Sequence, residues 1–540
     1  MSGAEPNSMV FDLCVVGGGM IGSSAAKHAA EGGVKVCLVA ADEPKKSNYS
    51  TTDIFGSWFD EARITRQLDP QRVWSYFASA SIARYSDIEK RSGISFHTPC
   101  GYLAIGEAGS SAIRDCKAVA DAQQIVGVKS LNQAGLISNY PFLKPLPNME
   151  GLLEAPPAGM INPRKFVKAQ RSLFVKAGGT LISQVAAEVR RQAPNDVFEV
   201  LTTDRRVIKA KKVLLCVGAF SQHIRITPPL NVPVKCGYNG SVACRIALSE
   251  TERQRMRNMP SLYWFIPPLF KDKFPNLPNI IGIYMLPPVP YPNGRYYIKL
   301  GFSANAFPRQ TLHTRGDITD WFSKNDLELG NILLETAKTL LSGLQSSDIE
   351  VDHCVSCYTP TECPYIDEVA PDLFIGLGGH GWAAKSADEF GRVSATLAST
   401  VCHIILTTVT CLTLLAAICV TTVALVTPQW QVADVIDTGT PERHYHRLWE
   451  NCVRTLGSNQ FRDTDTVCTM LIFDDDQDTH VGHHTPDRWR LIVLCLLSVG
   501  TLFGVVAFLL SFITTCLHCC PIKGCAKCYG VFWLACHVCA

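Results

Sequence analysis

Six residues near the start, Gly17-Gly18-Gly19-Met20-Ile21-Gly22, constrain this chain more than any others. They follow the apolar run VFDLCVV at 10–16 and open a segment rich in Ala and Ser, and VKVCLV at 34–39 is apolar again. The pattern reads as strand, turn, helix, strand. In such a unit the first glycine permits a tight turn, the second lets backbone approach a pyrophosphate, and the third lets helix and strand pack closely. The N–H groups at the helix start then face the phosphates. A lone G-x-G-x-x-G matches many loops by chance, and the flanking strand and helix make it specific. Dinucleotide binding through Gly17, Gly18, Gly19, Met20, Ile21 and Gly22 is therefore expected. An acidic residue at the end of the second strand usually bonds the ribose hydroxyls. Ala40 stands there, and Asp42 can substitute only if the loop bends.

At 540 residues the chain is too long for one ordinary domain. Its 50 basic and 48 acidic residues give no reason to expect a nucleic acid partner. Ten of the 23 cysteines fall before residue 401, without paired spacing, as expected of reduced thiols. The opening MSGAEPNSMVFD lacks a basic segment followed by an apolar run, so no secretory signal is expected. Helix-like spacing marks 70–92, 112–126 and 163–178, the last with Pro163 near its start and Gly178 after its end. Strands are expected at 181–190, 197–203 and 207–217. The Pro-rich stretch 256–293 is expected to be irregular and surface-lying. A helix near 326–343, a strand near 372–377 and a helical pattern over 380–400 follow.

Five stretches, in this order, carry a resemblance. They are the glycine turn; EARITRQ at 61–67; INPRKFVKAQ at 161–170 with KVLLCVGAFS at 212–221; YYIKLGF at 296–302; and CYTPTECPYID with FIGLGGHGWAAKSADEFG at 357–391. Over residues 9–400 the chain resembles the FAD-dependent amine oxidases of the D-amino-acid-oxidase superfamily, in particular the branch of monomeric sarcosine oxidase and peroxisomal sarcosine/pipecolate oxidase. The resemblance implies an α/β fold, with a Rossmann-like FAD-binding domain (parts 9–55, 150–225 and 345–400) and an interleaved α+β substrate domain on a mainly antiparallel sheet (parts 56–149 and 226–344). It implies FAD as cofactor, a small amino-acid substrate such as sarcosine or pipecolate, and oxygen as electron acceptor, with imine and hydrogen peroxide as products.

The same resemblance implies site residues. Arg63 and Arg66 would lie near flavin and substrate carboxylate, where a guanidinium fork can grip two oxygens at once. Lys299 would promote reaction with oxygen by stabilising developing negative charge. Tyr358 falls at a substrate-site tyrosine, and Gly379, His380 and Gly381 at the segment lining the flavin. Val185 and Gly218 are further expected cofactor contacts. Two departures stand out. The flavin-linking cysteine of the family would stand at Ser356, while Cys357 comes one residue later, and a one-residue slip on a strand reverses the face. Non-covalent FAD is expected. The family's carboxylate-binding lysine directly follows Trp382, whereas Lys385 comes two positions late, which on a helix turns it away by about 200°.

Beyond residue 400 the character changes. Ile404–Val426 and Leu491–Ile513 hold no charged residue, and each run of 23 residues is long enough, at about 1.5 Å per residue, to cross a hydrocarbon core of roughly 30 Å. An α-helical membrane segment over 401–540 is expected. The stretch 428–489 between the runs has an acidic excess, and Lys523 and Lys527 follow the second run. That bias places 428–489 outside and the oxidoreductase domain on the cytosolic side. Trp430, Leu448, Trp449, Cys452 and Cys468 resemble the claudin-like tetraspan proteins, which implies a Cys452–Cys468 disulfide and an alternative function, membrane adhesion with an idle flavin fold. Arg447 replaces the glycine usual before the Leu-Trp pair. The third apolar stretch, Val531–Ala540, is too short to cross, and joining of two genes is favoured; without the second part the enzyme is expected in the peroxisome or cytosol. Cys516/Cys519 and Cys525/Cys528 point to acylation more than to zinc, and His480, His483 and His484 to a solvated loop, so no metal site is expected.

Overall fold

The computed structural model describes residues 9–52, 54–192, 197–230, 233–266, 281–302, 310–324, 326–399 and, further on, 431–437, 440–446, 450–455 and 466–470. The chain divides into two units, 1–400 and 401–540.

The first unit starts as its glycines and apolar runs dictate. Strand β1 (Val10–Val16), helix α1 (Met20–Glu31) and strand β2 (Val36–Val39) form a parallel βαβ unit, with Val16 in register with Val39. Gly17 sits at φ +94°, and a Cβ there would lie 2.5 Å from the Cys216 carbonyl oxygen. A Cβ on Gly22 would lie 1.8 Å from the Gly17 carbonyl oxygen. Both positions therefore admit only glycine. β1 is an interior strand of a nine-stranded sheet and pairs on its other side, in parallel, with Val207–Leu215. That strand also pairs in parallel with Leu373–Leu377 and antiparallel with Val197–Thr202. Leu13, Cys14 and Val15 are fully buried because the sheet is covered on both faces.

α1 packs against helices Pro163–Lys176 and Ala387–Ser399. Pro163 holds the first turn of its helix, and the Asn162 side chain accepts from the Lys165 N–H. Asp388 ties this layer together. Buried completely, it accepts from Lys27 Nζ at 2.9 Å, Arg84 Nε at 2.6 Å and Gln170 Nε2 at 2.8 Å, and meets His28 Nε2 at 3.1 Å. Burial alone would raise its pKa; His28, Lys27 and Arg84 outweigh that and hold the carboxyl well below the usual range.

A second nine-stranded sheet is antiparallel except where Ser261–Phe265 runs parallel to Tyr102–Glu107. Its centre includes Gly237–Ala247, Tyr296–Phe302 and Gly282–Pro290. Strand Ile349–Tyr358 pairs with Gly237–Ala247 over ten residues and so belongs to this sheet. The largest hydrophobic cluster, with Trp264, Ile283, Met285, Ile298 and Leu300, lies on it. The expected irregular Pro-rich stretch is corrected here. Ser261–Phe265 and Gly282–Pro290 are strands, mostly buried. The register shift between Leu286 and Val289 absorbs Pro287 and Pro288, which have no N–H to give the ladder.

In the second unit the described residues form a four-stranded antiparallel sheet, Gln431–Asp437, Thr440–His446, Glu450–Thr455 and Thr466–Met470. Cys452 and Cys468 are register partners. The expected spans 404–426 and 491–513, together with Trp430, Leu448 and Trp449 and the cysteines and histidines after 470, lie outside the described residues. Among the described residues no helix is long and apolar enough to cross a membrane.

Candidate functional site

The site grows from the glycine turn. α1 begins at Met20 with no side chain capping its first N–H groups and no acidic residue in its first turn. Those groups and the positive end of the helix dipole are thus open to an anion. They face a cavity of about 450 Å³. Its wall runs from 16–21 and 39–41 through Val185 and Gly218 to 376–385, and also takes in Arg63, Arg66, Lys299 and 352–358. A cavity lined by the glycine turn at an open helix end and by a cationic cluster on another part of its wall fits a flavin dinucleotide. Gly17 and Gly22, where a Cβ meets backbone, form the cradle.

Arg63 opens and Arg66 follows the short strand β3 (Arg63–Thr65), the edge of a three-stranded sheet in which it pairs with Gly159–Ile161. Arg63 donates to the carbonyls of Ala62 at 3.0 Å and Ser57 at 2.9 Å and pairs with Asp60. Lys299, from the second sheet, is 2 % exposed and also pairs with Asp60. The Tyr291 hydroxyl donates to the same carboxylate at 2.9 Å. Arg66 pairs with Asp69 at 2.7 Å and donates to the Leu68 carbonyl. Its guanidinium lies over the Tyr102 ring, 5.0 Å from the centroid.

Lys385 reaches the same wall. It leaves a 3₁₀ turn, Ala383–Ser386, rather than the body of the following helix, and that tighter turn brings it to Asp69 at 2.9 Å. The two-residue delay relative to the family pattern therefore does not turn it away. Burial pulls its pKa down to about 8 against the opposing pull of Asp69. Asp69 is raised by burial but held low by Lys385 and Arg66. Glu154, behind them, accepts from the N–H groups of Gln67 at 3.0 Å and Leu68 at 2.9 Å, and burial raises its pKa despite those donors.

His380 has φ +52° and is buried between Gly379 and Gly381. The Thr359 N–H donates to its Nε2 at 3.1 Å, and the Thr359 hydroxyl lies 2.9 Å away. The imidazole is thus held by its neighbours, stacked at 6.0 Å on Trp382 and edge-on at 5.1 Å to Tyr358. A Cβ on Gly381 would lie 3.3 Å from Ser356 Oγ and 3.8 Å from the Tyr358 hydroxyl. Ser356 and Tyr358 thus share the face toward the 379–381 turn. Cys357, on the alternate face, packs into the core with Tyr238 as its register partner and hydrogen-bonds Cys236. It borders the cavity, but the strand's alternation aims its sulfur away from the turn.

Asp42 is corrected. It is 66 % exposed, is absent from the cavity wall and pairs with Arg171 at 3.1 Å. Arg171 also donates to the Gly18 carbonyl at 2.9 Å and lies 5.5 Å over the Trp58 ring. The loop after β2 therefore bends toward helix Pro163–Lys176 and takes the carboxylate with it. Sequence reasoning missed Asp60 and Asp69. The available signal was their spacing, three residues before Arg63 and three after Arg66.

A family model described as FAD dependent oxidoreductase matches residues 12–397, well over half of the chain. The chain belongs to that family, whose cofactor is FAD. Monomeric sarcosine oxidase of Bacillus sp. (strain B-0618) is 25% identical over 226 residues, 42% of this chain and 55% of that protein. N-methyl-L-tryptophan oxidase of Escherichia coli (strain SMS-3-5 / SECEC) is 24% identical over 221 residues, 39% of this chain and 55% of that protein. The chain thus spans little more than half the length of these curated relatives. Among solved structures, NikD, an unusual amino acid oxidase essential for nikkomycin biosynthesis, superposes with a TM-score of 0.56 at 21% identity, over 72% of this chain and 94% of its own. Glycine oxidase from Geobacillus kaustophilus gives 0.50 at 15% identity, over 72% and 95%. These two likenesses establish the flavin-oxidase α/β fold. The family match ends before residue 400, so the claudin-like reading of 401–540 stands on sequence alone.

Proposed function

We propose that residues 9–400 oxidise the C–N bond of a secondary amine of amino-acid type, of which sarcosine, pipecolate and N-methyl amino acids are the first to test, and pass the electrons to oxygen. The amine loses two electrons and two protons to become an imine, which water hydrolyses, and oxygen gains them to become hydrogen peroxide. Bound FAD supplies the two-electron acceptor between the two half-reactions. The observation that carries this reading is the convergence of the glycine turn with Arg63, Arg66, Lys299, Tyr358 and His380 on one cavity.

The chain's own residues then have separable tasks. Gly17, Gly19 and Gly22 let backbone and the open end of α1 meet a pyrophosphate. Arg63, Lys299 and Asp60 together carry a net positive charge in a dry setting, which favours negative charge developing near them. His380, fixed by Thr359, shapes the wall, and Tyr358 presents a hydroxyl beside Gly381. Trp58, against Gly19 of the turn, and Trp382, against His380, contribute aromatic rings to the wall. The test is direct. Purified protein should carry flavin absorbance, bleach anaerobically with a secondary amine and release peroxide in air. Flavin-loaded protein that no secondary amine bleaches would refute the reading, and colourless folded protein would favour the adhesion alternative.

A membrane anchor is a separate part of the proposal. The two uncharged runs and the charge bias around them support an anchor with the oxidoreductase unit on the cytosolic side. Extraction by alkaline carbonate would count against it.

A further inference from the structure

Among the described residues two cysteine pairs hold their thiols against each other, and the proposed reaction uses neither. Cys14 and Cys37 are register partners on β1 and β2, thiol hydrogen-bonded to thiol. Cys236 comes two residues before Tyr238, the register partner of Cys357, and packs into the same hydrophobic cluster as Cys357. These two thiols are hydrogen-bonded as well. All four cysteines are free.

The pairs differ in access and in surroundings. Cys14 and Cys37 are completely buried in the sheet, and burial, reinforced by Cys14, pushes the Cys37 thiol well up. Cys357 borders the cavity, and Cys236 is only partly buried. The Ser221 hydroxyl bonds both thiols of this second pair and lies 2.6 Å from the Tyr238 hydroxyl. The Cys357 thiol, helped by Ser221 and opposed by burial, holds Cys236 below its ordinary value. The contact with Cys236, together with burial, pushes Cys357 well up. Cys236 therefore ionises first, and the thiolate is the nucleophilic form of a cysteine. It is also the more accessible of the two.

We propose that Cys236 and Cys357 form a modification site, a peroxide-reactive dithiol that closes to a disulfide beside the flavin cavity. The Cys236 thiolate attacks one oxygen of hydrogen peroxide. The O–O bond breaks, and the second oxygen leaves as hydroxide, which takes up the proton that the thiol gave up. Cys236 is then a sulfenic acid. The Cys357 sulfur attacks the Cys236 sulfur, the S–O bond breaks, and a second water leaves with the Cys357 proton. Two thiols thus lose two electrons and two protons, and one peroxide becomes two waters. The inference rests on the amine-oxidase reading above for the source of its oxidant. The bond would tie the segment before Gly237–Ala247 to the strand that carries Ser356 and Tyr358.

The test uses the full chain with bound FAD, first reduced and then desalted. After brief exposure to a small excess of hydrogen peroxide, remaining thiols are alkylated in denaturant and the peptides mapped. Cys236 and Cys357 should be recovered linked, and reopened by dithiothreitol, while Cys14 and Cys37 stay alkylated. Alkylated Cys236 and Cys357, or a Cys14–Cys37 link formed as readily, overturns the proposal. Two variants test the order of events. Cys357→Ser should leave a sulfenic acid at Cys236 that dimedone traps, and Cys236→Ser should leave Cys357 a free thiol. Dimedone found on Cys357 instead overturns the assignment, and if either variant fails to fold, the wild-type map still decides. Turnover of an amine in air replaces added peroxide in a last arm. Peroxide release with the pair still reduced overturns the proposal. If no amine yields peroxide, the amine-oxidase reading fails, and added peroxide still decides the thiol chemistry.

Discussion

Lys299→Met separates the two half-reactions. Arg63 and Lys299 contribute two positive charges to their cluster and Asp60 one negative, so the net charge is +1 and falls to zero in the variant. A unit charge about 5 Å from the oxygen that gains electrons is worth about 3 kcal/mol at an effective dielectric constant of about 20. Salt screens it little, because Lys299 is buried. At about 1.4 kcal/mol per decade the oxygen step should slow roughly a hundredfold. Anaerobic bleaching of the flavin by amine should change far less, because the step that places negative charge on oxygen is absent from that half-reaction. Losing one partner of a buried pair costs about 3–5 kcal/mol when the other is left bare. Asp60 keeps Arg63 and the Tyr291 hydroxyl, so the stability loss should be smaller, and thermal unfolding will measure it. The assay is double-mixing stopped flow: reduce anaerobically, then add oxygen. Asp60→Asn supplies the opposite sign, since it raises the cluster to +2 and should leave reoxidation as fast or faster. Unchanged reoxidation in Lys299→Met, or slowed reoxidation in a folded Asp60→Asn, would refute the electrostatic argument.

Three further outcomes are expected. Gly22→Ala should abolish FAD retention while circular dichroism stays near wild type, because its Cβ would fall 1.8 Å from the Gly17 carbonyl oxygen at the turn alone; a yellow variant would contradict the cradle. Lys385 has a folded pKa of about 8, below its ordinary 10.5. Between those values the unfolded chain binds more protons than the folded one, so this residue's contribution to stability rises with pH there and is least favourable below 8. The stability of wild type relative to Lys385→Met should therefore improve from pH 8 toward 10.5, and chemical denaturation showing the reverse trend would count against the burial argument. Cys452 and Cys468, opposite each other on antiparallel strands, have backbones close enough for a disulfide. Peptide mapping of non-reduced protein from an oxidising compartment should recover them linked, and two free thiols there would remove the pairing.

The opening βαβ unit was legible because its information is local. Glycines at 17, 19 and 22 and the apolar runs beside them specify a turn whatever the rest of the chain does. Helix Pro163–Lys176 was legible for the same reason, with its proline, asparagine cap and glycine stop in one short stretch. The Pro-rich stretch misled because a proline is tolerated at a bulge, and only the neighbouring strands reveal that a bulge exists. Lys385 misled because rotation was counted on an α-helix, whereas the residue sits in a tighter turn.

Chemical character and local conformation were thus determined by the sequence itself: a dinucleotide turn, an oxidase-like order of motifs, and two uncharged runs beyond residue 400. Tertiary structure alone decided which charges meet. Lys299 lies 239 residues from Asp60 in the chain, and Lys385 reaches Asp69 only when a 3₁₀ turn on one layer closes over a loop on another. Coulomb forces between buried groups depend on distance in space and on the exclusion of water, and neither is written in the spacing of residues along a chain.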